Sequence, residues 1–508
     1  MKTNTSKSIV KAVTLITVFS VITRTLSFIY KIILSRIIST EMLGAYSLGL
    51  SVYTVFTTCI NSGIPLSVSK ATASNFVSKN RRNIGSSISS ALILSISMVI
   101  IMSLTVFLGK GLFVNMFGNE NSYFILILLI PTIITTAIYT PFRGYLWGRE
   151  RYFKVGLVEL IEQALRLILL ITCSLILANS NDLLPAGISY IIAGAITTIL
   201  GIIFFFKEKG LLSKPKYQFK QIFKSSTPIT GVRIATSLMQ PIVSIILPMR
   251  LVAIGFSQDQ ALSEMGITMG MTFPLLTIPA TLIGSLAMVL IPKLTSLANT
   301  DSSATIKKQL DSALIFTICC SFICIPAFIA LGIPACEFVY ANTLAGKYLS
   351  MGCWVVLPMC LSMICSSALN SLGHEISSFK YHLISSAITI ILAWFLPKTF
   401  GVYTLLLVNG IGMSIVSILS LIKIHKVTHL AINYLGKILL LGLITVPITM
   451  LTKYVYNLSV LIFPSLVALI LAGAASVISF GLLMACFKVI DISYIKTSVG
   501  KKKSKNEI

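Results

Sequence analysis

Apolar residues run through this chain in blocks, each closed by a charge cluster or by Gly, Pro, Asn and Ser. A block of about 20 such residues, wound as a helix, crosses the roughly 30 Å hydrocarbon core of a bilayer. The blocks fall at 10–38, 44–69, 84–108, 122–146, 155–178, 183–206, 226–252, 267–292, 310–333, 347–371, 381–397, 401–422, 437–456 and 459–487. They predict an all-α polytopic membrane protein with fourteen transmembrane helices. Barrel strands are shorter and alternate polar with apolar, and no such alternation is present.

The two halves echo each other. EMLGAYSLG from Glu41 is matched by SEMGITMG around Glu264, an offset of 223. Leu108–Gly109 returns as Leu331–Gly332 at the same offset, and YLWGRERYFK (145–154) resembles SLGHEISSFK (371–380). The repeat predicts a six-helix bundle at 1–206 and another at 225–422, joined by a basic connection at 207–224. Two extra helices at 423–487 and a basic tail at 488–508 complete the chain. An even number of helices per repeat keeps both bundles in the same orientation, as in transporters whose halves are related by an axis along the membrane normal.

Composition agrees with the membrane reading. The 508 residues are 56% hydrophobic and only 11% charged, against about 25% charged in soluble domains. The net charge of +25 raises the question of nucleic acid, and the placement of the cations answers it. With the N-terminus in the cytoplasm, 30 of the 40 Lys and Arg fall on the inner side. Five fall outside, namely Lys110, Arg250, Lys347, Lys398 and Lys453. That asymmetry obeys the positive-inside rule with both termini cytoplasmic. The connection KEKGLLSKPKYQFKQIFK and a tail with Lys501, Lys502 and Lys503 then face anionic membrane lipid. No nucleic-acid partner is implied. Lys2, Lys7 and Lys11 precede the first block without a small-residue cleavage site, so a cleaved signal is not expected.

The ten cysteines are scattered through apolar runs and behave as small hydrophobes. His425 and His429 lie four apart in a basic connecting segment, which implies no metal. Phosphate-cradling and hydrolase motifs are missing, so neither a cofactor nor an enzymatic activity is expected.

The unusual chemistry lies inside the spans. TRTLSFIYKIILSR (23–36) carries Arg24, Lys31 and Arg36 and no acid. Twelve apolar or hydroxyl residues precede Arg24, roughly 18 Å of helix, so Arg24 lies within the membrane. Lys31 is two turns on and shares its face, whereas Arg36 lies roughly 120° round the helix. A cation at the bilayer centre costs roughly 2.5–3.5 kcal/mol. Glu159, Glu162 and Arg166 occupy the fifth span, with Glu162 and Arg166 placed to form a local ion pair. Arg233 sits early in the seventh, which Pro228, Pro241 and Pro248 are expected to bend. Positive charge exceeds negative among these groups. Two readings follow: a cationic cavity for an anionic substrate, or cations that snorkel to the interface. Asn61, Gly63 and Pro65 interrupt the second span, and Pro274 and Pro279 the eighth. Such breaks serve either as hinges lining a polar cavity or as packing kinks.

The stretches RTLSFIYKIILSRII, EMLGAYSL and SGIPLSVSK, together with the repeat, resemble the polysaccharide-export branch of the multidrug/oligosaccharidyl-lipid/polysaccharide exporter superfamily. The resemblance implies alternating-access transport of an undecaprenyl-diphosphate-linked glycan, a lipid II-type peptidoglycan precursor. In a sporulating bacterium the product would be spore cortex. In the related lipid II flippases, first-helix arginines face the diphosphate in a central cavity, and the last two helices form a groove for the lipid tail. The matching positions here are Arg24 and Arg36. Those flippases also carry an acid beside a first-helix arginine, where this chain has Tyr30 and Lys31. Two alternatives stay open. One is a cation-coupled multidrug exporter of the same superfamily, and the other a membrane scaffold for cortex-synthesis enzymes.

Overall fold

The computed structural model describes residues 2–177, 183–215, 218–298, 303–431 and 433–487. The expected basic tail at 488–508 lies outside them, as does part of the connection at 207–224. The described residues are helical apart from short turns and connections, with no strand among them. In lipid an unpaired backbone amide finds no water, so a long apolar segment satisfies its own backbone by forming a helix.

In chain order the first helices are α1 (Lys2–Ile37), α2 (Thr40–Asn61), α3 (Gly63–Val77), α4 (Arg81–Leu108), α5 (Lys110–Phe117), α6 (Glu120–Gly148), α7 (Tyr152–Ile176) and α8 (Leu184–Lys207). They are followed by α9 (Phe219–Ser237), α10 (Met239–Ala253), α11 (Gln258–Met265), a π-helical segment (Gly266–Thr272), α12 (Phe273–Leu276) and α13 (Ile278–Ala298). The last are α14 (Ser303–Tyr340), α15 (Thr343–Gly352), α16 (Val356–Ser371), α17 (Glu375–Phe395), α18 (Pro397–Phe400), α19 (Thr404–Thr428), α20 (Leu435–Ile462) and α21 (Ser465–Cys486).

Among the described residues, twelve helices are long and apolar enough to cross a membrane, or thirteen when the bent pair meeting at Thr277 is one span. The expected fifth span corresponds to α7, which is 25 residues long and carries Lys154, Glu159, Glu162 and Arg166. Those charges keep it out of a count made on apolarity. The expected seventh span is broken at Leu238, between α9 and α10. Pro241 sits three residues into α10, where its missing N–H costs no helical hydrogen bond.

The chain forms two compact units. One comprises 1–274 with 382–405, the other 275–381 with 406–508. In the first, Ile64, Val68, Ile88, Phe142, Leu146 and Phe205 form an apolar core between α3, α4, α6 and α8. Lipid is as apolar as such a core, so close helix approach rather than burial alone drives association. Glycines permit that approach. A Cβ on Gly144 would meet the Pro65 carbonyl oxygen at 2.7 Å, and one on Gly148 the Ser69 carbonyl oxygen at 2.7 Å. Arg250 joins the 382–405 segment to this unit. Its Nε donates to the Trp394 carbonyl at 3.0 Å, and its guanidinium lies 4.7 Å from that indole ring.

In the second unit α14 packs against α15, α16, α20 and α21. A Cβ on Gly346 would lie 2.4 Å from the Ile333 Cα, so α14 and α15 touch backbone to backbone. The Tyr434 hydroxyl donates to the Asp311 carboxylate at 2.7 Å.

Candidate functional site

The first helix is two-sided. Tyr30, Leu34 and Ile38 are buried, and α1 packs mainly on α7. Ser27 Oγ donates to the Gln163 side-chain oxygen at 2.9 Å across that contact. The buried apolar side and this hydrogen bond fix the rotation of α1. As a result Arg24, Lys31 and Arg36 lie on its accessible surface. Arg24 and Lys31 share one stripe, seven residues apart, while Arg36 occupies another sector. Arg233 is exposed on α9, a separate helix.

The two acids of α7 are engaged elsewhere. Glu162 pairs with Arg166, whose side chain is 14% exposed. Glu159 pairs with Arg143 at 2.8 Å. Among the described residues, no carboxylate lies within ion-pairing reach of Arg24, Lys31 or Arg233. Three cations thus stay uncompensated by side chains where the bilayer dielectric makes compensation valuable.

Arg166 is a structural cation. Its guanidinium lies 4.0 Å from the Tyr190 ring. Tyr190 meets Tyr30 edge-on at 5.9 Å and Tyr53 at 6.1 Å, and the Tyr46 hydroxyl donates to that of Tyr190 at 3.3 Å. Sequence reasoning anticipated the Glu162–Arg166 pair, but not this tyrosine cage or the Arg143–Glu159 pair. Arg143 and Glu159 sit on different helices, so no helical spacing links them. The available signal was the placing of four tyrosines within apolar spans, where each hydroxyl needs a partner.

Both span breaks are present. α2 ends at Asn61 and α3 begins at Gly63. The Gly63 N–H donates to Thr230 Oγ1 at 3.2 Å, and Thr140 donates to the Asn61 side-chain oxygen at 2.6 Å. A Cβ on Gly63 would lie 2.2 Å from the Ser226 carbonyl oxygen. Pro65 is buried in the first turn of α3, a position that tolerates proline. This break is therefore clamped by side chains of α6 and α9. Pro274 lies in α12 and Pro279 in the first turn of α13, on either side of the exposed Thr277.

A family model described as "Polysaccharide biosynthesis protein" matches residues 9–298. Stage V sporulation protein B of Bacillus subtilis (strain 168) is 23% identical over 316 residues, covering 58% of this chain and 59% of that protein. The alignment thus spans less than two thirds of this relative's length. The inward closed conformation of the lipid II flippase MurJ superposes with a TM-score of 0.72 at 15% identity, covering 93% of this chain and 99% of that one. An inward-facing multidrug resistance MATE family transporter of the MOP superfamily gives a TM-score of 0.65 at 14% identity, covering 80% and 94%. These structures share the fold of this chain, in line with the superfamily resemblance. Because the family model covers more than half of the sequence, this chain belongs to the polysaccharide biosynthesis protein family.

Proposed function

We propose that the protein is a flippase for an undecaprenyl-diphosphate-linked glycan, a lipid II-type peptidoglycan precursor, in a bacterial cytoplasmic membrane. Spore cortex synthesis is the proposed use, and cortex-synthesis enzymes are the proposed partners. The observation that carries this reading is the Arg24–Lys31 stripe of α1, exposed and without a carboxylate partner. A diphosphate supplies the missing negative charge and accepts charge-assisted hydrogen bonds from both side chains. Arg36 and Arg233 are proposed to extend the cationic lining, and the breaks at Asn61, Gly63 and Pro65 and at Pro274 and Pro279 to act as hinges.

In this reading the two six-helix repeats rock about a central cavity while the lipid tail stays in the bilayer. Both termini face the cytoplasm, as the distribution of Lys and Arg suggests. An interior-negative potential then favours outward movement of an anion by roughly 2.3 kcal/mol per charge per 100 mV.

The experiment is a flipping assay with fluorescent lipid II in liposomes, comparing wild type with Arg24→Ala. Transport that collapses in a folded Arg24→Ala variant supports the reading, and equal transport by both proteins overturns the diphosphate role. A multidrug exporter is the second reading, favoured by the MATE-like fold. It needs a carboxylate accessible for ion coupling, whereas Glu159 and Glu162 are both paired to arginines. Altered drug susceptibility on deletion would support it.

A further inference from the structure

The structure assigns a second anion site, remote in sequence from the α1 stripe, where three loops meet at one membrane face. A cavity of about 320 Å³ lies between the ends of α3, α6 and α8. Arg81, Arg149, Arg151, Lys207 and Lys209 line it, with Glu208 as the one acid of the lining. We propose that it binds a phosphate-bearing anion, the headgroup of an acidic phospholipid or free phosphate.

The ordinary explanation for these cations is that they offset helix C-termini. All three helices end there in the same way. Lys79, Glu150 and Lys209 are left-handed at φ 56°, 57° and 58°. The next residue bonds back across each terminus: Asn80 N–H to Asn75 O at 2.9 Å, Arg151 N–H to Leu146 O at 2.9 Å, and Gly210 N–H to Phe205 O at 3.0 Å. Each terminus carries roughly half a negative charge, so three offset roughly 1.5 charges. Five cations against one carboxylate leave a formal surplus of four. About 2.5 positive charges remain after the helix ends are counted, enough to neutralise a phosphate.

Two arrangements favour a ligand over a merely solvated patch. Arg149 stacks on the Phe76 ring at 3.9 Å. A stacked guanidinium keeps its N–H donors, which lie in its own plane, for a further partner. Lys209 occupies a left-handed position that the backbone would give to glycine, and it places a cation on the cavity wall. Arg151 also donates to Glu208 at 3.0 Å, which fixes one side of the wall. Exposed Phe76, Phe153, Phe206 and Leu211 surround the region. Aromatic and apolar side chains at this level place the site among lipid headgroups.

The test uses the full chain purified in detergent. Its thermal unfolding midpoint is followed against added dioleoylphosphatidylglycerol, dioleoylphosphatidylcholine or inorganic phosphate. Phosphatidylglycerol raises the wild-type midpoint and phosphatidylcholine does not. The Arg149→Gln/Lys207→Gln variant needs about tenfold more phosphatidylglycerol for the same rise, as loss of charge-assisted bonds demands. Lys209→Gly relieves the left-handed strain, so it folds at least as well as wild type yet loses part of the response. Lys347→Gln/Lys398→Gln, altered at exposed cations outside the cavity, responds normally. A rise with inorganic phosphate alone identifies free phosphate as the ligand. Equal responses from wild type, Lys209→Gly and the double variant overturn the proposal, as does a wild type indifferent to both anions.

Discussion

The hydroxyls of Thr40 and Ser263 lie 2.6 Å apart although 223 residues separate them in the chain. That separation equals the offset between the matched stretches EMLGAYSLG and SEMGITMG. The contact is reciprocal. A Cβ on Gly44 would lie 1.9 Å from the Leu262 carbonyl oxygen, and a Cβ on Gly266 would lie 2.1 Å from that of Thr40. Each glycine follows by four residues the carbonyl that faces its counterpart. Small residues on both sides let the helix backbones meet here.

Such a contact has to separate if the two halves rock apart. Thr40→Cys/Ser263→Cys is therefore expected to form a disulfide on oxidation and to stop flipping, with recovery on reduction. Unimpaired flipping by the fully cross-linked protein would show that this crossing stays closed throughout transport. Gly44→Val forces a side chain into the Leu262 carbonyl. Overpacking costs about 1–3 kcal/mol, more when backbone has to move, and a lowered unfolding midpoint in detergent checks it.

Arg24 and Lys31 are exposed and take no part in the described ion pairs. Replacing either by Ala is expected to leave the unfolding midpoint nearly unchanged. Each charged hydrogen bond contributes about 1.5–3 kcal/mol, so apparent substrate affinity should fall about ten- to a hundredfold. Arg24→Lys keeps the charge but not the bidentate fork, and should fall between wild type and Arg24→Ala. Flipping rate against substrate concentration separates the three.

Glu162 and Arg166 behave oppositely, because the pair is held within the bundle beside Tyr190. Glu162→Gln strands a largely buried guanidinium, and breaking such a pair costs about 3–5 kcal/mol. The double replacement Glu162→Gln/Arg166→Met removes the stranded charge and should recover most of the loss. Unfolding midpoints of the single and double variants decide this.

Glu208 lies beyond the end of α8, outside the membrane spans, and its carboxylate is only 11% exposed. The hydrogen bond from Lys154, aided by that from Arg151, holds its carboxyl below the usual range. A depressed folded pKa contributes stability above the unfolded value. That contribution shrinks below about pH 4.3 and vanishes as pH falls through the folded pKa. Wild type is therefore expected to exceed Glu208→Gln in unfolding midpoint at neutral pH, with the gap closing on acidification. A gap constant down to the acid limit would show that the Lys154 and Arg151 contacts contribute nothing.

The sequence by itself determined the membrane class, the all-helical fold and the approximate place of most membrane helices. A bilayer leaves an apolar segment of about 20 residues no other way to satisfy its backbone, and that constraint acts locally along the chain. The sequence also located Arg24, Lys31 and Arg233 within spans and paired Glu162 with Arg166, because four residues along one helix is a fixed geometry. Only the tertiary structure decided which side of α1 faces its neighbours. Helical periodicity relates residues to their own axis, and lipid and protein are too alike in polarity for hydropathy to tell the two faces apart. The Arg143–Glu159 pair, the clamp of Thr230 on Gly63, the tyrosines around Arg166 and the three-loop cavity all join residues from separate helices. Their partners are chosen by packing, and no spacing along the chain encodes them.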